Sequence, residues 1–150
     1  NAALLCLTDL MATIADLTGT KLPDNAGEDS FSFLPEILGT GRSQRTSAVH
    51  HSINGRFAIR DGATKLALCS GSGGWSKEPT EGDVQLYDLS TDLGERTNLA
   101  GSRPDDVRRL TALLDQLVAD GRSTAGRPQS NDVEVRPVKG TSQPRRGRVK

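Results

Sequence analysis

Residues 85–100 read QLYDLSTDLGERTNLA, and this stretch decides the fold. Leu86, Tyr87 and Leu89 supply the apolar positions of a short strand. Asp88, Ser90, Thr91 and Asp92 follow, each with a short polar side chain able to bond a backbone N–H two residues on and so bend the chain. Gly94 then permits a positive φ, and Leu99 is expected to re-enter a core. The stretch therefore reads as a strand, a polar turn and an apolar anchor.

Upstream, residues 56–60 and 64–69 flank Asp61-Gly62, a pair that tolerates positive φ and signals a hairpin. Strand parity puts Phe57 and Ile59 on one face, with Ala58 and Arg60 on the other. Leu66 and Leu68 likewise share a face, opposite Lys65, Ala67 and Cys69. Residues 47–53 alternate weakly and form a further strand. Residues 70–82 are a Gly- and Ser-rich loop holding Trp75, the single tryptophan. Downstream, Ser102 can cap a helix that has Pro104 near its start and Asp105-Asp106 in its first turn. Val107, Leu110, Leu113, Leu114, Leu117 and Val118 then recur at helical spacing, and Gly121 ends the run.

Towards the N-terminus, Ala2 to Leu7 form an apolar run. Thr8 reads as an N-cap with Asp9 in the first turn. Leu10, Met11, Ile14 and Leu17 fall on one face of a helix over residues 9–18, ended by Gly19. After a polar loop, Phe31, Phe33, Leu34, Ile37 and Leu38 mark a second short helix, ended by Gly39. The pattern predicts an α+β chain: short helices, then a small antiparallel β-sheet with a long C-terminal helix packed on it. The helix stripe over residues 104–120 is expected to lie on the face bearing Phe57, Ile59, Leu66 and Leu68. Residues 133–150, rich in Pro and Arg and without apolar periodicity, are expected to form a disordered tail.

Bulk properties narrow the function classes. The chain has 150 residues, with 19 Lys and Arg against 19 Asp and Glu, so it is not built as a whole to bind nucleic acid or an anionic membrane. The basic tail lacks interleaved aromatics, which favours a solvated segment over a nucleic-acid site. No apolar run reaches the ~18 residues that a membrane span needs. Apolar residues make up 34% and the mean hydropathy is −0.47, enough for a modest core. Cys6 and Cys69 form neither a disulfide framework nor a CxxC metal pair. The opening NAALLCL lacks a basic n-region, and a chain that opens inside an apolar segment is expected to be the back end of something longer.

Four segments whose order along the chain is that of the family resemble sulfatases, and a fifth resembles their closing segment. QLYDLSTDLGERTNLA is similar to the sulfatase pattern LYDLxxDPxExxNL, matching at Leu86, Tyr87, Asp88, Leu89, Asp92, Glu95, Asn98 and Leu99, with Leu93 in place of the proline. TDLMATIADLTG resembles DLxPTLLxLAG, GEDSFSFLPEIL resembles a GxSLLPLL-like run, and GRFAIRDGATKLAL resembles GxxAIRxGxWKL with Thr64 for the tryptophan. RSTAGRPQSND, at residues 122–132, resembles the closing segment of many bacterial sulfatases.

The resemblance implies the C-terminal region of an arylsulfatase-type enzyme of the alkaline phosphatase superfamily. Residues 1–45 would end the catalytic α/β domain, and residues 46–132 would form the C-terminal subdomain. In that family a CxPSR or SxPSR motif supplies the formylglycine nucleophile beside a calcium ion. Neither Cys6 (CLTDL) nor Cys69 (CSGSG) has that context, and no carboxylate cluster shows metal-ligand spacing. No catalytic residue and no metal ligand is therefore assigned here, and calcium is expected only in the parent enzyme. The parent's substrate would be a sulfated carbohydrate or aryl sulfate, and a sulfatase implies a periplasmic or secreted location.

The candidate substrate-binding residues are His50, His51, Lys65 and Trp75. An imidazole or ammonium suits an anionic ester, but adjacent strand residues point to opposite faces, so at most one histidine can serve. Each has a plainer reading: packed or solvated strand residues for the histidines, a solvated face for Lys65 and a loop anchor for Trp75. Arg60 is expected to pair with Glu95 or another turn acid. Asp88, Asp92 and Glu95 read as backbone caps of the turn rather than as a metal site. Two other functions fit the same residues: a phosphodiesterase or phosphonate hydrolase of the superfamily, and a free-standing, non-catalytic binding module.

Overall fold

A computed structural model of the protein describes residues 3–74 and 82–137. Trp75 and residues 138–150 lie outside the described residues, as does Ala2. Residues 133–137, the described start of the expected tail, form neither helix nor strand.

The elements are α1 (Leu10–Leu17), α2 (Leu34–Leu38), β1 (Ser47–His51), β2 (Phe57–Asp61), β3 (Thr64–Ala67), β4 (Gln85–Asp88) and α3 (Pro104–Asp120). The strands form one antiparallel sheet in the order β1-β2-β3-β4. Its register aligns Val49, Ile59, Leu66 and Leu86 on one face. Helix α3 covers that face, and Leu110 and Leu114 join Ile59, Leu66, Leu68 and Leu86 in the core. Val107, Leu113, Leu117 and Val118 are partly buried around them. Burying side chains of this size contributes ~1.5–3 kcal/mol each. The expected packing of the helix on the sheet is thus what the structure contains.

The turns differ from expectation in detail. Asp61 pairs with Thr64, so the two turn residues are Gly62 and Ala63, with φ at Gly62 of 57°. The chain needs only one positive φ there, and the residue without a Cβ takes it. Gly94 does not supply the positive φ of the organising turn; Glu95 does, at 52°. Ser102 does not cap α3. Its hydroxyl donates to the Leu99 carbonyl (3.1 Å), and Arg103 holds the N-cap position without a side-chain cap bond. Gly121, with a φ of 62°, closes α3 as expected.

The apolar stripe of the N-terminal helix faces outward. Leu10, Met11, Ile14 and Leu17 are exposed, whereas Asp9, Thr13 and Ala15 are buried. The reason is local hydrogen bonding. The backbone N–H of Phe31 donates to Asp9 Oδ1 (3.0 Å), that of Phe33 to Thr13 Oγ1 (3.1 Å), and that of Ala12 to Ser30 Oγ (2.8 Å). Buried amides need partners, and the polar face of α1 supplies them to the following loop. Asp9 is accordingly not a solvent-facing first-turn acid. A 3-10 turn at Leu7–Asp9 precedes α1, and Thr8 is not its cap. The Asp9 carboxylate accepts Arg45 Nε (2.8 Å) and Nη2 (2.5 Å), tying this segment to the start of β1.

Candidate functional site

The sheet face away from α3 carries the polar chemistry. Register places His50 beside Ala58, Ala58 beside Ala67, and Lys65 between Arg60 and Tyr87. A cavity of about 250 Å³ opens here, lined among others by His50, Arg56, Lys65, Cys69, Gln85, Tyr87 and Glu95. A larger cleft of about 640 Å³ lies on the helix side, where Arg45 and Arg122 line it. Those two guanidiniums are already held by Asp9 and Asp24, so neither is free for an anion. The smaller cavity is the better candidate site.

Its floor is a satisfied polar network. Tyr87 Oη donates to Gln85 Oε1 (2.6 Å), and Gln85 Nε2 donates to the carbonyls of Cys69 (2.6 Å) and Gly71 (2.8 Å). Gln85 and Tyr87 are buried, so these bonds fix the strand end and the loop leaving β3 in one arrangement. Burial pushes the Tyr87 phenol up, and the charges of Glu95 and Asp92 add to that. Burial also raises the Cys69 thiol, outweighing the pull of Arg56 and Lys65 in the other direction. Cys69 thus stays a thiol at neutral pH and is no activated nucleophile.

The ion pair at this face is not the one expected. Lys65 Nζ meets both carboxylate oxygens of Glu95, at 2.6 and 2.8 Å. Arg60 instead donates from Nε to the Gly62 carbonyl (2.8 Å). Parity explains the exchange: both cations share the open face, but β3 borders the edge strand that feeds the Glu95 turn. Asp88 and Asp92 do cap backbone, as read from the sequence. Asp88 Oδ1 accepts the Ser90 N–H (3.0 Å), and Asp92 Oδ2 accepts those of Arg96 and Thr97 (2.8 Å each). Glu95 departs from that reading and serves Lys65.

The two histidines separate. His50 stands on the open face. Burial pushes its imidazole below the usual histidine value, and the positive charges of Lys65, Arg45 and Arg60 push it further. His51 alternates to the other face, its ring 5.8 Å from that of Phe57, but at the strand end it still reaches the rim of the same cavity. His50 and Lys65 therefore share a cavity wall through their common face, and Trp75 lies outside the described residues. Sequence reasoning passed over Arg56 and Asn98. Arg56 sits on the same wall of the cavity as Cys69. Asn98 joins the turn to β4 through Leu86 N–H (3.0 Å) and the Val84 carbonyl (3.1 Å). The NL pair at its position in the turn was the available signal for Asn98. Arg56, a strand-flanking arginine, carried none.

Among the described residues, no group of three or more His, Cys, Asp or Glu is placed to hold a metal ion. The calcium that the resemblance implies finds no donor set in them. No helix among them is long and apolar enough to cross a membrane.

With this geometry in hand, comparison with known proteins places the chain among relatives. It is 34% identical over 120 residues to an N-acetylgalactosamine-6-O-sulfatase of Bacteroides thetaiotaomicron, covering 77% of this chain and 24% of that protein. It is 30% identical to arylsulfatase A of Homo sapiens, covering 85% of this chain and 30% of the relative. The chain is homologous to sulfatases. No family profile matches it. A solved 6S-sulf structure, from work on glycosaminoglycan metabolism by Bacteroides thetaiotaomicron, superposes with a TM-score of 0.61 at 34% identity, over 73% of this chain and 24% of that one. A solved 2-O GAG sulfatase gives a TM-score of 0.50 at 25% identity, over the same shares. The chain spans a quarter to a third of the length of the curated relatives it matches.

Proposed function

We propose that this chain is the C-terminal part of a sulfuric-ester hydrolase, with residues 1–45 ending the catalytic α/β domain and residues 46–132 forming the C-terminal subdomain. Its sheet and helix cover the catalytic part and shape access of a sulfated carbohydrate or aryl sulfate. The observation that carries this reading is one of extent. Most of the chain aligns with sulfatases, yet it corresponds to about a quarter of the Bacteroides relative. Sulfatase chemistry needs an activated nucleophile and a cation that neutralises the sulfuryl oxygens. The sequence holds neither CxPSR nor SxPSR, and the Cys69 thiol is held protonated. Calcium would act in the parent's catalytic part, and this chain's share would be positioning.

In this reading His50 and Lys65 orient the anionic ester from the open sheet face, with Trp75 in the adjoining loop as a stacking surface. His51, whose strand parity points to the other face, would contribute at most at the cavity rim. Lys65 is shared with Glu95, so it acts as a point charge of reduced strength, and His50 as a neutral donor near pH 7. The parent would be periplasmic or secreted.

The test is an aryl sulfate assay of the purified 150-residue chain, with and without calcium. No turnover above background is expected. Turnover that survives purification and is abolished by His50→Ala would place the active site inside this chain and overturn the proposal.

A further inference from the structure

Arg56 stands apart from its charged neighbours. Lys65 is bound to Glu95, Arg60 is turned to the Gly62 carbonyl, and Arg45 is closed on Asp9. Among the described residues, nothing hydrogen-bonds or ion-pairs with the Arg56 guanidinium; the bonds of Arg56 are made by its backbone, whose N–H donates to Ser52 Oγ (3.3 Å) and whose carbonyl accepts the Ser52 N–H. Yet Arg56 is half-buried and lines the cavity. Among the described residues, the other half-buried or buried arginines each have a carboxylate or carbonyl partner, and Arg56 stands apart from them.

The surroundings of Arg56 are built rather than incidental. The β1–β2 turn is stapled to the loop after β3: Ser52 Oγ donates to the Gly73 carbonyl, and Asn54 Nδ2 donates to that of Gly74 (3.4 Å). Ser52 N–H also donates to the Arg56 carbonyl (2.9 Å). Between the two loops, the Arg56 stem runs so close to Gly73 that a Cβ there would meet Arg56 Cβ at 2.9 Å and Cys69 Sγ at 2.8 Å. Gly73 also has a φ of 64°, so glycine is required on both counts. The stem is thereby held against the wall, beside Cys69, whose thiol senses the positive charge.

We propose that Arg56 is a specificity-determining residue that binds an oxyanion of an acidic sugar, either a sulfate ester or a uronate carboxylate, in the open-face cavity. The proposal rests on the positioning role given to that cavity above. A planar fork of N–H donors matches two oxygens of either group at once, which the ammonium of Lys65 does not. His50 and Lys65, on the same face, add positive field without competing for the same geometry.

The test uses the 150-residue chain, with amide and arginine Nε–H resonances followed by NMR during titration. The probes are N-acetylgalactosamine 6-sulfate, glucuronate and, as the neutral control, N-acetylgalactosamine. Saturable shifts that include the Arg56 Nε–H are expected with at least one acidic sugar and not with the neutral one. Arg56→Gln is expected to weaken that binding about tenfold or more, the scale of a lost charge-assisted pair. Arg56→Lys, which keeps the charge and the packed stem, is expected to weaken it less. If Arg56→Gln does not fold, the Lys variant and the wild-type Nε–H shift still decide. Loss confined to the sulfated sugar assigns the sulfate ester, and loss confined to glucuronate assigns the carboxylate. Binding unchanged in both Arg56 variants but lost in His50→Gln or Lys65→Met would overturn the Arg56 assignment and leave the cavity reading standing. No saturable binding to the wild-type chain would overturn both.

Discussion

Asp9 and Arg45, 36 residues apart, are joined by two N–H···O bonds of 2.8 and 2.5 Å, with the Asp9 side chain fully buried. Asp9 also accepts the backbone N–H groups of Cys6 (2.9 Å) and Phe31 (3.0 Å). Arg45 reaches the carbonyls of Ser47 (2.8 Å) and Asp29 (2.6 Å) and stacks 4.7 Å over Phe31. Removing one partner strands the other, so Asp9→Ala is expected to cost ~3–5 kcal/mol. Burial alone would raise the Asp9 carboxyl, but the bonds from Arg45, Phe31 and Cys6 and the Arg45 charge bring it below its ordinary value of 3.8. A lowered folded-state value means the stabilisation is complete above 3.8 and is lost as pH falls below it. Urea midpoints across that acid range should fall in the wild type and fall less steeply in Asp9→Asn. Parallel slopes would remove Asp9 as the titrating group.

The core makes a graded prediction. Leu110 and Leu114 are fully buried, whereas Leu113 is only partly so. Leu114→Ala or Leu110→Ala is expected to cost ~2–5 kcal/mol, and Leu113→Ala less. Thermal midpoints of the three variants provide the check; equal losses would mean that α3 is rotated from the observed contact.

Much of this was legible because periodicity is a local property. The α3 stripe follows from 3.6-residue spacing, and parity shows that only one of the two histidines can share a face with Lys65; which one it is follows from the strand register, which puts His50 there. What stayed hidden depends on partners distant in the chain. The α1 stripe marks a helix but not which side meets the protein, and the amides of residues 31–33 drew the polar side inward. Glu95 found Lys65 rather than Arg60 because strand order decides which cation lies beside the turn. Arg56 and Gly73 became a site only through the packing of two loops, for which no local sequence signal exists.

Asn98 is expected to be the structural pin of the organising turn. Its Oδ1 accepts the N–H groups of Leu86 and Ala100 (3.0 Å each), and its Nδ2 donates to Val84 (3.1 Å). Asn98→Ala leaves these groups without their partner, at ~1–3 kcal/mol. Asn98→Asp keeps the acceptor and loses the donor, and should fall between. Chemical denaturation of both variants tests the order; an Ala variant as stable as the wild type would show that water replaces the side chain.

His50 should titrate below the usual histidine value. Burial is the first cause, and the charges of Lys65, Arg45 and Arg60 follow. Because the folded-state value is depressed, protonation favours the unfolded chain. The stability contribution is complete above 6.5 and lost as pH falls through the folded value, and it is small because the His50 side chain remains largely open to solvent. An NMR pH titration of the ring protons measures it directly. Lys65→Met should move the midpoint up, but only part of the way, because burial remains. An unmoved midpoint would show that Glu95 already cancels the Lys65 charge at His50.

The exposed stripe of α1 leads to the last expectation. Leu7, Ile14 and Leu17 are 85%, 56% and 68% exposed, and Ile37 and Leu38 of the adjoining α2 are 62% and 61% exposed. Exposed apolar side chains on two adjoining helices drive association when they are left open to water. The chain on its own is therefore expected to self-associate through this face. Ile14→Glu with Leu17→Glu should reverse that at little cost in fold stability, since neither side chain is part of the core. Sedimentation velocity over a concentration series distinguishes the outcomes. A wild-type chain that stays monomeric throughout, or a double variant that associates as strongly, would show that the stripe is not the contact. A double variant that becomes monomeric with an unchanged thermal midpoint would identify α1 and α2 as a docking face separate from the sheet–helix core.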